Sequence, residues 1–169
     1  MRLGGGSRKG SSFERKMARE LSQWWYGRPD LLWRRSGNEV RVKQPTLHTG
    51  DVVPLGNEPL PYLWIFHVQL KHWKAGAFNW HTMLSDYYKS RVRAIWVEAL
   101  KARRKDLVSL LIVKENNRPL LCFFHEFAVN SRAINGDCVR FPDGLVCMPW
   151  GAAQGLLLDL RFDSRGKRG

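Results

Sequence analysis

The sequence predicts an α/β fold in which a mixed central sheet is flanked by helices. Three observations carry that expectation. The chain has 169 residues, 44% of them hydrophobic, which suits one domain with a core of its own. Apolar residues recur at helical spacing near the start and again in the middle. Short apolar runs bounded by Gly, Pro and Asn lie between and after those segments and read as strands. Helix, three strands, helix and two strands in that order are best satisfied by a sheet with helices packed on it.

Residues 1–11 are rich in Gly, Ser, Arg and Lys. They read as a flexible basic arm that can touch phosphates without building a core. A helix is predicted from residue 12, with Ser11 or Ser12 as its cap and Glu14 in its first turn. Phe13, Met17, Leu21 and Trp24 or Trp25 share one face. Gly27-Arg28-Pro29-Asp30 stops the helix.

Residues 31–35 form a short strand candidate, and 36–48 a polar, basic, irregular stretch. Strands are expected at 51–55 and 60–70. The run Leu63-Trp64-Ile65-Phe66 is too apolar for a half-exposed edge, and the three strands are close enough to form a meander. One helical region is predicted over 80–105, then strands at 107–113 and 120–127 joined by a hairpin through Asn116-Asn117. Beyond 128 the pattern is weaker, with a strand at 145–148, a helix at 152–160 and a basic tail. The expected organisation is an arm over 1–11, a core over 12–127, and an extension of the same domain over 128–169.

The formal net charge of +13, from 28 basic and 15 acidic residues, points to a polyanionic partner, most often nucleic acid. The structural alternative is a generically basic surface. Cys122, Cys138 and Cys147 are widely separated with no CxxC pair, which argues against a zinc ribbon, and an odd number of cysteines without a signal peptide fits a reducing interior. The start lacks the apolar run of a secretory signal, and no stretch approaches the ~20 apolar residues that span a bilayer. A cytoplasmic or nucleoid location, away from membranes, is expected. No GxxxxGK[ST] occurs, which argues against an ATP motor.

Asp51, Gln69 and Lys71 stand out because each interrupts an apolar run. Gln69 and Lys71 are two residues apart on one strand and so share a face. Together they suggest a site for a hard cation beside a water. Such an ion prefers oxygen ligands and keeps several waters. Asp51 is the candidate main ligand. The Gln69 side-chain oxygen, the Leu70 carbonyl and Glu14 from the helix are further ligands. Lys71 orients or deprotonates water, or offsets charge on a phosphate. Each residue alone has a plainer explanation. Asp after Gly is a common turn residue, Gln-x-Lys is frequent, and Glu14 suits a first helical turn. Candidate DNA contacts are Arg8, Lys9 and Arg15 from the arm and helix, and Arg34, Arg35, Ser36 and Lys43 from the first strand and its basic loop. His72 and Lys74 beyond the cluster complete that set.

The order Glu14, Gly50-Asp51-Val52, Val68-Gln69-Leu70-Lys71 on helix, strand and strand resembles the PD-(D/E)XK nuclease superfamily. Together with Arg8-Lys9-Gly10-Ser11-Ser12-Phe13-Glu14-Arg15 and Arg35-Ser36-Gly37, it resembles the archaeal-type Holliday junction resolvases. Val113-Lys114-Glu115-Asn116-Asn117-Arg118-Pro119 is similar to a late hairpin of phage and prokaryotic members. The resemblance covers residues 8–127. It implies a restriction-endonuclease-like αβββαβ core and a Mg2+- or Mn2+-dependent endonuclease. It also implies a homodimer that places paired nicks in four-way DNA junctions. It makes Glu14, Asp51, Gln69 and Lys71 the active-site set and puts Ser36 near the scissile phosphate. One departure stands out: the family's usual second acid is Glu, and here it is Gln69. A nuclease of the same superfamily acting on duplex, flap or single-stranded DNA, and a non-catalytic nucleic-acid-binding protein, remain alternative readings.

Overall fold

The computed structural model describes residues 5–34, 50–54, 64–103, 105–129, 134 and 136–161; for residues 5–9 and 34 it describes the backbone alone. Helix α1 spans Gly5–Tyr26, so residues 5–11 belong to it instead of to the expected arm. Ser11 and Ser12 lie inside the helix and do not cap it. The physical reason is cooperativity: once the strongly amphipathic segment has nucleated, each further residue adds a hydrogen bond at little cost. Met17, Ala18, Leu21 and Trp25 form its buried face. Ser22 is fully buried; its hydroxyl donates to the Arg28 carbonyl at 2.5 Å and accepts from Leu31 N–H at 2.9 Å, fixing the turn out of the helix.

Strands β1 (Leu32–Arg34) and β2 (Val52–Pro54) pair antiparallel as a two-stranded ribbon. β3 (Phe66–Trp73) instead joins a five-stranded sheet with β4 (Val108–Glu115), β5 (Leu121–His125), β6 (Val139–Arg140) and β7 (Leu145–Pro149). The order in space is β3-β4-β5-β7-β6. The expected three-strand meander is therefore corrected to a ribbon beside a sheet. β3 also runs three residues beyond the predicted end at 70, because its whole length pairs in parallel with β4, from Phe66 opposite Val108 to Trp73 opposite Glu115.

That parallel pairing requires a crossover. It is made by α2 (Trp80–Ser85), a 3-10 turn (Tyr87–Lys89) and α3 (Arg91–Ala102), not by one helix over 80–105. The break is written in capping residues. The Asn79 side chain accepts from Thr82 N–H at 3.0 Å and starts α2, and the Ser90 hydroxyl accepts from Arg93 N–H at 3.1 Å and starts α3. Such bonds satisfy backbone donors that a helix start leaves over.

The two sheet faces have separate cores. Phe66, Val68, Leu70, Leu110, Ile112, Cys122, Phe124, Val146 and Met148 pack against α1 and α4 (Trp150–Leu158). Trp73, Leu111, Val113, Phe123, Leu145 and Cys147 pack against α2 and α3 through Met83, Val92 and Trp96. This alternation is the two-residue period of a strand covered on both faces. The segment after 128 contributes a strand and a helix to the core. β7 pairs along the length of β5, and Trp24 Nε1 donates to the Gln154 carbonyl at 3.2 Å, tying α1 to α4. Tyr87 OH donates to Asp143 at 3.0 Å, and Arg93 pairs with the same carboxylate at 3.0 Å, which fastens the crossover to the turn before β7. Among the described residues, no helix is long and apolar enough to cross a membrane.

Burial pushes the Cys147 thiol up to about 12 and the Cys122 thiol well above its ordinary value of 9.0. Their folded pKa values are raised, so the native state holds protons that the unfolded chain releases. The stability they contribute is present below pH 9 and is lost as pH rises from there towards 12. Each buried thiol adds a slope on the order of 1 kcal/mol per pH unit across that window. Urea midpoints are expected to fall between pH 9 and 10.5, and to fall less steeply in a Cys122→Ala/Cys147→Ala variant. Equal slopes in the two proteins would contradict this.

Candidate active site

The site forms where the ribbon meets the outer edge of β3. Gly50 has φ +117°, and a Cβ there would lie 2.7 Å from the Val68 carbonyl oxygen and 3.0 Å from Val68 N. Only glycine lets the chain come this close. The next residue uses that approach: Asp51 N–H donates to the Val68 carbonyl at 2.7 Å. The Asp51 side chain then reaches along β3. Its Oδ2 accepts from Leu70 N–H at 2.7 Å and from Gln69 Nε2 at 2.6 Å. A residue's N–H and C=O point to the same side of a strand. The Leu70 carbonyl therefore faces the edge where Asp51 sits, away from β4.

β3 alternates faces. Phe66, Val68 and Leu70 are buried towards α1, while His67, Gln69 and Lys71 lie on the α2–α3 side with Trp73. Gln69 and Lys71 are half-buried and His67 is fully buried. Asp51, also half-buried, thus joins two neighbouring β3 residues, with Lys71 one position further along Gln69's face.

A family model described as "Phage putative PDDEXK endonuclease" matches residues 5–137. The chain belongs to this family. Membership indicates nuclease chemistry, and PD-(D/E)XK nucleases generally use Mg2+ or Mn2+. No curated protein and no solved structure matches the chain.

The donor set fits a hard cation. Asp51 would supply carboxylate oxygen, Gln69 an amide oxygen once its amide turns over, and Leu70 a main-chain carbonyl. All are oxygen ligands, few in number, as expected of an ion that keeps much of its water. Among the described residues no three His, Cys, Asp or Glu side chains cluster as a metal site.

Glu14 is half-buried on α1. Its neighbour Phe13 rests against His72 with ring centroids 5.3 Å apart, which brings this level of α1 to the end of β3. His72 also hydrogen-bonds Asn116 Oδ1 at 3.0 Å, so it fastens α1, β3 and the β4–β5 hairpin together. Its face is opposite that of Gln69 and Lys71. Lys74 is exposed just after β3, and Arg15 is exposed on α1. Arg8 and Lys9 lie in the helical backbone of α1, and Arg34 ends β1. Arg35, Ser36 and Lys43 lie outside the described residues. What sequence reasoning missed is the structural need for Gly50. The Gly-Asp dipeptide was its signal, but close contact with Val68 is a long-range fact.

Proposed function

We propose that the chain is a Mg2+- or Mn2+-dependent DNA endonuclease of the restriction-endonuclease-like type, acting on branched DNA with four-way junctions first. The observation that supports this most is Asp51 seated on β3 by Gln69 and Leu70, with Lys71 next on the Gln69 face. The five-stranded mixed sheet with helices on both faces is compatible with a restriction-endonuclease-like core, and helix, three strands, crossover helices and strand follow one another along the chain. Asp51, Gln69, Leu70 and Glu14 are the proposed ion ligands. When bound, the ion polarises the phosphate and activates water for attack. The Lys71 ammonium offsets charge that builds on the phosphate in the transition state. Asp51 and the Leu70 carbonyl are positioned before substrate arrives, because backbone bonds from both partners fix them.

Gln69 has a physical rationale here. Its amide donates to Asp51 Oδ2 at 2.6 Å and holds the carboxylate on β3. A Glu at this position would set two carboxylates against each other, a like-charge contact that disfavours both being ionised. Gln69→Glu is therefore expected to lower the Tm in EDTA and to show a larger rise on adding Mg2+ than the parent, with cutting retained or increased. Complete loss of cutting with unchanged metal response would show that the neutral amide has a different role.

Paired nicks need two centres, and the described residues carry one candidate centre, so the active species is proposed to be a homodimer. The excess of basic over acidic residues draws the phosphate backbone in, and affinity should fall steeply with salt. One assay tests the reading: labelled four-way junction, flap and linear duplex incubated with and without Mg2+ or Mn2+. Symmetric paired nicks on the junction alone support resolution. Cutting of all three supports a general nuclease. Tight binding with no cutting under either ion supports a binder and overturns the enzyme.

A further inference from the structure

Beyond Lys71 on the same face of β3 comes Trp73, 8% exposed. A strand advances ~6.6–6.8 Å per two residues, so Trp73 stands one such step beyond Lys71. The Arg91 guanidinium lies over the Trp73 ring, 5.1 Å from its centroid. Beside this pair is a cavity of about 140 Å3, walled by Trp73, Phe78, Met83, Asn79, Thr82 and Arg91. That is well below the ~300–1,000 Å3 of a typical small-molecule site, and suits a single ring system.

The lining has the chemistry for a base. Trp73 and Phe78, with ring centroids 5.8 Å apart, give aromatic surface. Arg91 is exposed and gives a planar cation that can swing off Trp73 and cover a second ring. Asn79 Oδ1 is used by Thr82 N–H, and that bond leaves its Nδ2 to donate to a base carbonyl. The buried Glu115 carboxylate accepts from Phe78 N–H at 3.3 Å and so holds the wall in place. Lys71 and Lys74 on either side of Trp73 supply positive charge for the flanking phosphates.

We infer that this pocket receives one unpaired nucleobase of the strand being cut, next to the scissile phosphate, stacked between Trp73 and Arg91. The inference rests on the nuclease reading and extends it to a specificity site. It makes cutting depend on a base being free to leave its stack, as at a branch point.

The test maps the cut on a junction, then places a single abasic residue at each position around it. Wild-type cutting is expected to fall about tenfold at one flanking position, in line with the worth of one base–aromatic stack. Thr82→Leu fills the cavity while keeping the Thr82 N–H that starts α2. It is expected to cut intact and abasic junctions at the same reduced rate, and Arg91→Ala should lose most of the same preference. In the Asp51→Asn protein, 2-aminopurine at that position should be quenched on binding. Uniform sensitivity along the strand, or an undiminished preference in Thr82→Leu, overturns the inference and leaves the nuclease reading standing. If the wild type cuts nothing under Mg2+ or Mn2+, the nuclease reading falls. The 2-aminopurine scan of the bound junction then decides alone, and equal fluorescence at every position would overturn the base pocket too.

Discussion

Asp51→Asn abolishes cutting, by at least about 10³-fold, and leaves junction binding within a few-fold of the parent. The two halves of that expectation have separate causes. Around residue 51, the carboxylate oxygen Oδ2 accepts both from Leu70 N–H and from Gln69 Nε2. An asparagine Oδ1 accepts the same two bonds, and the backbone bond from residue 51 to Val68 is untouched. The ribbon therefore stays on β3. What is lost is the negative charge, and a hard cation depends on carboxylate charge for affinity. Binding survives because it draws on the basic excess spread over the chain. Lys71→Ala should behave alike in activity, removing charge relief at the phosphate, but should keep the Mg2+-induced rise in Tm that Asp51→Asn loses. Cleavage rates, filter binding and thermal shift on the same preparations check all of this. Full cutting by Asp51→Asn would remove residue 51 from the site.

Gly50→Ala is expected to damage both stability and activity. An alanine Cβ would stand 2.7 Å from the Val68 carbonyl oxygen, which is backbone inside the sheet and unable to swing aside. The φ of +117° adds conformational strain, since side-chain-bearing residues avoid that region. The strain alone is worth about 1–3 kcal/mol. For a chain of 169 residues each kcal/mol lowers Tm by about 2–4 °C. To relieve the contact the ribbon must move off the β3 edge, carrying Asp51 from Gln69 and Leu70. A displacement near 1 Å costs about 10²-fold in rate. The expected pattern is a lowered Tm together with reduced cutting that added Mg2+ does not restore. A Gly50→Ala protein with parental Tm and rate would show that Gly50 is not held against Val68.

The α1 face of Met17, Leu21 and Trp25, the existence of β3, β4 and β5, and the polar interruptions at Asp51, Gln69 and Lys71 were legible along the chain. In each case the information is local. A helical or two-residue period shows which face is buried, and a polar residue within an apolar run stands out by contrast. The start of α1 at Gly5 was not legible, because glycines and basic residues are poor helix signals and the extension is paid for by the helix already formed. The split of the 80–105 region was present in Asn79 and Ser90, but capping residues are common enough in loops that their meaning emerges only with the bonds to Thr82 and Arg93.

The sequence by itself determined the alternation that gives the sheet two buried faces, the positive charge, and the residue types able to hold an ion. It did so because periodicity, charge and ligand chemistry are properties of neighbouring residues. Only the tertiary structure decided that β3 pairs in parallel with β4, that β7 and α4 complete the core, and that Asp51 lands on Leu70 and Gln69. Those are contacts between residues far apart in the chain. Their partners are selected by packing and by close backbone approach at Gly50, and no local pattern encodes that choice.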